Sequence, residues 1–178
     1  MKRALQVPLN SIPETGRELH LELGPEWFSR WQEQDPGLEF AAGEVTGTVR
    51  LEKHGRDVLV RGALSGKLKL TCSRCLETFE AKVAADFDLL LLPRPEQTTS
   101  REELTPEDLD LDYYSGEVVD LESLLKEQIV LMVPLKPLCA EDCRGLCPRC
   151  GANLNRESCN CLEIKPAGPL SGLAKLKV

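Results

Sequence analysis

The chain has 178 residues, of which 42% are hydrophobic and 29% charged, and a formal net charge of −7. These proportions suit one globular domain with a small appended module, and they exclude collagen-like, coiled-coil and fully disordered chains. The acidic balance argues against a basic coat for nonspecific nucleic-acid binding, and no apolar run approaches the ~20 residues of a membrane helix.

Pro8 and Asn10 interrupt the apolar stretch behind Met1-Lys2-Arg3. No signal peptide is read there, so a cytoplasmic protein without a membrane partner is expected. Residues 4–24 read as an extended lead-in. Within it Leu19, Leu21 and Leu23 alternate with Glu18, His20 and Glu22, the period-two pattern of a half-buried strand. Pro25 opens a short helix with Trp27, Phe28 and Trp31 on one face. These aromatics are expected to be core anchors, with stacking on nucleic-acid bases the alternative.

Residues 44–92 read as an antiparallel sheet with strands at 44–53, 57–64, 66–72 and 78–92. Gly55-Arg56 and Ser65-Gly66 are expected turns. Lys67 and Lys69 alternate with leucines and share a face. Frequent turns suggest a meander or a small barrel. Residues 93–119 form a Pro-, Thr- and acid-rich connection in which Asp108, Asp110 and Asp112 alternate with leucines. A calcium loop fits poorly there, because Tyr113 stands where the loop wants Gly and Val119 where it wants Glu. Asp120 is the expected N-cap of a helix running to about Met132, with Leu121, Leu124, Leu125, Ile129 and Met132 as its apolar stripe. Pro134 and Pro137 end it. The tail from Pro166, with Leu170, Leu173 and Leu176, suggests a short amphipathic helix. The expected fold class is therefore α+β: an antiparallel sheet or small barrel, one main helix and a C-terminal zinc-bound cysteine module. The expected division is a core domain over 1–138 with an acidic loop at 93–119, a zinc module over 139–165 and a tail over 166–178.

The eight cysteines fall into four close pairs, Cys72/Cys75, Cys139/Cys143, Cys147/Cys150 and Cys159/Cys161. In a reducing compartment such pairing points to metal rather than disulfides, and one or two structural zinc ions are expected. Cys147-Pro148-Arg149-Cys150-Gly151 has the composition of a knuckle: proline stiffens the turn and glycine permits the backbone that follows. Cys72-Ser73-Arg74-Cys75 is a second. Loop closure favours one site from Cys147, Cys150, Cys159 and Cys161, leaving Cys72, Cys75, Cys139 and Cys143 for the other. The rival pairing joins the two C-x-x-C knuckles. A catalytic zinc fits less well, because the chain has only two histidines, His20 and His54, and no H-E-x-x-H. His20-Leu21-Glu22 matches only the first fragment of a zinc-deaminase signature. No phosphate loop or nucleophile elbow is present, so no enzyme activity is expected.

Charge is uneven. Residues 96–127 carry eleven acids and two bases, whereas residues 139–178 carry six bases and four acids. The cysteine-bearing segments are the basic parts of an acidic protein, which hints at a local polyanion contact.

Several features together resemble the YceD family: Cys72-Ser73-Arg74-Cys75-Leu76 after a strand; the acidic loop; Val133-Pro134-Leu135-Lys136-Pro137-Leu138-Cys139 ending the helix; Gly145-Leu146-Cys147-Pro148-Arg149-Cys150-Gly151-Ala152-Asn153-Leu154-Asn155; and Cys159-Asn160-Cys161. Leu173-Ala174-Lys175-Leu176 fits as well. The resemblance implies a factor for accumulation of 23S ribosomal RNA, acting in its synthesis, processing or stability, with no known catalytic set. Arg74, Arg144, Arg149 and Arg156 beside the knuckles are the candidate RNA-binding residues, with Lys67, Lys69, Lys165, Lys175 and Lys177 widening the patch. The expected partners are 23S RNA or its precursor, and ribosomal proteins or a processing nuclease. The alternative is an adaptor that recruits such a protein through the acidic loop without touching RNA. A third reading is a redox sensor or enzyme using a zinc-released thiolate.

Overall fold

The computed structural model describes residues 5–37, 40–94 and 111–161. The expected tail helix and Asp108 and Asp110 lie outside the described residues. The elements in chain order are β1 (Gln6–Pro8), a 3-10 turn (Leu9–Ser11), β2 (Arg17–Leu23), α1 (Pro25–Gln34), β3 (Phe40–His54), β4 (Asp57–Thr71), β5 (Thr78–Pro93), β6 (Leu111–Tyr114), β7 (Val118–Asp120) and α2 (Leu121–Met132). The fold is α+β, and the described residues hold both the short helix expected from Pro25 and the main helix expected after Asp120. No helix among the described residues is long and apolar enough to cross a membrane.

β2, β3, β4, β5 and β6 form one sheet in that order, and β1 pairs with β7 in a small second one. Among the described residues the large sheet is open rather than closed into a barrel. It is antiparallel from β2 to β5, and β6 joins the far edge parallel to β5. The Gly55-Arg56 hairpin turn forms as expected, closed by the His54–Asp57 pair, with Gly55 at φ +65°. Ser65-Gly66 makes no turn: β4 runs unbroken through it, pairing Gly66 with Val45 on one side and Val83 on the other. A Cβ at Gly66 would stand 2.1 Å from the Glu44 carbonyl oxygen and 2.7 Å from Val45 Cα. Glycine is there for close approach of two strands, a strand use of glycine that local sequence does not separate from a turn.

Alternation along the three long strands puts one face of the sheet in the core. Val45, Val49, Leu51, Val58, Val60, Leu64, Leu68, Leu70, Val83 and Leu91 point inward. At one end α1 covers that face with Trp27, Phe28 and Trp31, all buried, and Phe28 meets Phe40 edge-on at 6.0 Å. The aromatics are thus core anchors and offer no stacking platform. Elsewhere Val7, Val119, Leu121, Leu125 and Ile129 bring β1, β7 and α2 into the same core. Asp120 caps α2, accepting from the N–H groups of Glu122 (3.1 Å) and Ser123 (3.4 Å). The opposite face of the sheet is polar and pairs its own charges, Arg61 with Asp88 at 2.8 Å and Lys67 with Glu80 at 2.8 Å.

Candidate metal centres

β4 and β5 are joined through Cys72-Ser73-Arg74-Cys75-Leu76-Glu77. The Cys72 N–H donates to the Glu77 carbonyl and the Leu76 N–H to the Cys72 carbonyl, both at 2.9 Å. The same pair of bonds closes the second knuckle: Cys147 N–H to Ala152 O at 2.8 Å, and Gly151 N–H to Cys147 O at 2.9 Å. The two turns are equivalent, and each puts its fifth residue in the left-handed region. Gly151 does so at φ +73°, whereas Leu76 does so at φ +59° despite its Cβ. That conformation costs a non-glycine residue roughly 1–2 kcal/mol.

Past α2, Pro134 and Pro137 turn the chain back along the first knuckle, where the Ser73 N–H donates to the Pro137 carbonyl at 2.8 Å. This delivers Cys139 and Cys143. The sulfurs of Cys72, Cys75, Cys139 and Cys143 all lie within 4.8 Å of one another. Those of Cys147, Cys150, Cys159 and Cys161 do the same. The two C-x-x-C knuckles therefore stand in separate clusters. Cys72, Cys75 and Cys143 are buried and Cys139 is exposed; Phe79, Leu138 and Leu146 pack against this cluster. In the other cluster only Cys147 is buried.

Each cluster can hold a metal ion, and two sulfur pairs of the first test its spacing. Four thiolates at a Zn–S distance of about 2.3 Å define a tetrahedron with edges of about 3.8 Å. Cys72 and Cys143 stand 3.7 Å apart, and Cys75 and Cys139 3.6 Å. Both donor sets consist entirely of thiols, the soft ligands that suit zinc in structural sites.

The electrostatics agree. Burial pushes the Cys72 thiol up, but the N–H groups of Cys75, Cys139 and Arg74 outweigh it and bring it down to about 6. The N–H groups of Cys150 and Arg149 bring Cys147 to about 6. Cys139 is pushed up to about 12 by its contacts with Cys143 and Cys75, and Cys161 to about 12 by its contact with Cys150. One thiolate per cluster is favoured, and Cys139 in the first and Cys161 in the second resist following. A dication among the four sulfurs removes that repulsion.

The four candidate RNA-binding arginines divide. The Arg74 guanidinium donates to the Cys143 carbonyl at 2.8 Å and reaches that of Glu141 at 3.4 Å, so it braces the first cluster. Arg156 forms an ion pair with Glu77 at 2.8 Å. Arg144 and Arg149 are exposed. Lys67 is paired with Glu80, and Lys165, Lys175 and Lys177 lie outside the described residues. His20 stands exposed on β2, 3.7 Å from Glu18, and His54 closes the β3–β4 hairpin; neither joins a cluster. One participant carried no expected role in the sequence: Asn155, whose Nδ2 donates to Cys143 Sγ at 3.3 Å. Only the two asparagines at 153 and 155, close after a knuckle, could have drawn attention to it.

The family model for "Large ribosomal RNA subunit accumulation protein YceD" matches residues 60–177, a span that takes in both knuckles and α2. An uncharacterized protein of Mycobacterium tuberculosis is 33% identical over 109 residues, covering 61% of this chain and 51% of its own. The chloroplastic large ribosomal RNA subunit accumulation protein YCED homolog 1 of Arabidopsis thaliana is 26% identical over 137 residues, covering 63% of this chain and 43% of its own. Its Zea mays counterpart is 28% identical over 140 residues, covering 64% and 48%. The chain spans about half the length of the curated relatives it matches. No solved structure matches it.

Proposed function

The chain belongs to the YceD family, and on that premise we propose that it is a non-enzymatic, zinc-stabilised factor supporting accumulation of large-subunit ribosomal RNA. It acts on the synthesis, processing or stability of 23S RNA by contacting that RNA or its precursor. The plant relatives, named as large ribosomal RNA subunit accumulation proteins, supply the biological direction. The observation that carries the zinc reading is the gathering of eight thiols into two four-sulfur sets, each with its sulfurs within 4.8 Å of one another.

Four thiolates per zinc fill its coordination, which suits a structural ion better than a catalytic one, since a catalytic site keeps a position open for water. When bound, each ion neutralises its thiolates and fixes the loops around them. Cys72 and Cys75 tie the sheet to the segment after α2, while Cys147, Cys150, Cys159 and Cys161 close the C-terminal module on itself. The proposed division is a core over 1–138, a zinc module over 139–165 and a tail over 166–178, with the first site shared between core and module.

Arg144 and Arg149 are the residues assigned to RNA contact, because Arg74 and Arg156 already serve the protein's own architecture. Crosslinking by ultraviolet light in cells, followed by sequencing of the attached RNA, tests this. Enrichment at discrete positions in 23S precursor RNA is expected. Arg144→Glu with Arg149→Glu should reduce it several-fold while leaving zinc content intact; unchanged crosslinking in that variant refutes the assignment.

One observation favours the adaptor reading. In the described stretch 139–161 three arginines are matched by Glu141, Asp142 and Glu157, so the module is not strongly basic. Absent crosslinks, with the protein still co-sedimenting with large-subunit precursors, would favour an adaptor docked through the acidic 93–119 segment to a ribosomal protein or nuclease. A cytoplasmic location in a bacterial cell belongs to the same proposal.

A further inference from the structure

One side chain from the loop of the second cluster reaches a sulfur of the first. Asn155 sits in the loop between Cys150 and Cys159, so closure of the second cluster fixes its position. Both N–H donors and the oxygen of its amide are engaged. Oδ1 accepts from the Arg144 N–H at 2.7 Å, while Nδ2 donates to Cys143 Sγ at 3.3 Å and to Asn153 Oδ1 at 3.0 Å. The orientation is determined, because a backbone N–H needs the oxygen and a sulfur needs the nitrogen. Leu154 N–H to Gly145 O at 2.9 Å and Leu146 N–H to Arg74 O at 3.2 Å lock the loop against the first knuckle.

We propose that Asn155 is a positioning residue that couples the two zinc sites, so that loading of Cys147, Cys150, Cys159 and Cys161 tightens zinc binding at Cys72, Cys75, Cys139 and Cys143. This rests on the zinc reading above. The amide N–H spreads the charge of the Cys143 thiolate and holds its sulfur toward the other three. Zinc in the second site holds the 151–158 loop, and with it the amide, in place. Coupling of this kind is reciprocal: metal in the first site favours metal in the second by the same factor.

The full chain is titrated with zinc in a competing chelator, and site occupancy is read by residue-resolved alkylation, since a metal-bound cysteine is protected. Partners that orient a ligand typically contribute 10–100-fold in metal affinity. Asn155→Ala should therefore weaken the first site by roughly 10–100-fold. Asn155→Asp keeps the acceptor for Arg144 but aims a carboxylate at Cys143, so it should weaken the first site further. A purely structural role predicts the reverse order, with Asp close to wild type. Asn155 is exposed, so neither change opens a core cavity. Cys159→Ser, which removes a ligand of the second site, should lower first-site affinity too, and Asn155→Ala should add little on top of it. In cobalt-loaded protein Asn155→Ala should shift the thiolate-to-metal charge-transfer band of the first site. Unchanged first-site affinity in Asn155→Asp overturns the coupling while leaving the zinc reading intact. A wild-type chain in which zinc protects no cysteine overturns both.

Discussion

Replacing Gly66 with alanine probes the register that holds the long sheet together. The added Cβ would stand 2.1 Å from the Glu44 carbonyl oxygen and 2.7 Å from Val45 Cα, where ordinary contact begins at 3.4 Å. Both obstacles are backbone, so no side chain can swing away. β3 and β4 would have to part by more than 1 Å at a central pairing, in a strand flanked on both sides. Overpacking of this kind lies at the upper end of its usual cost, about 3 kcal/mol. At about 2–4 °C per kcal/mol for a chain of this size, the melting temperature should fall by about 6–12 °C. Gly55→Ala is the control. Nothing lies within 4 Å of its added Cβ, so only its φ of +65° is penalised, at about 1–2 kcal/mol. Thermal melts followed by circular dichroism compare the two. A Gly66→Ala chain that melts no lower than Gly55→Ala would refute the continuous strand and restore a turn at Ser65-Gly66.

Asp120→Ala removes three accepted hydrogen bonds at the start of α2, from the Glu122 and Ser123 N–H groups and the Ser123 hydroxyl, and should cost about 1 kcal/mol. Asp120→Asn should recover most of that in the same melt. Stripping metal with a strong chelator should loosen the knuckles but spare the core, because the main hydrophobic cluster contains no cysteine. Hydrogen exchange should rise across 72–76 and 137–161 and stay slow across 45–51 and 58–64; uniform loss of protection would contradict a metal-independent core.

Local patterns carried much of the architecture. Alternating leucines marked β2, Pro25 and three aromatics marked α1, and Asp120 ahead of a leucine stripe marked α2, because each signal is complete within one element. What escaped depends on neighbours distant in sequence. Gly66 is a turn residue by composition and a close-approach residue only once Glu44 and Val45 lie beside it. β6 joins the sheet parallel, a choice made by β5 rather than by its own four residues. Arg74 and Arg156 read as free cations until the Cys143 carbonyl and Glu77 arrive as partners. Leu76 takes a left-handed backbone that its sequence disfavours, because the knuckle requires it there as it requires Gly151 in the other. Asn155 has no meaning apart from a sulfur twelve residues away.

We propose that two four-thiolate zinc sites organise the knuckles of this chain. Native mass spectrometry of the full chain, purified under reducing conditions without added metal, tests it most directly. Two zinc ions per chain are expected, with all eight cysteines becoming alkylatable after chelation. A folded, metal-free chain with its eight cysteines free or joined in disulfides would contradict it.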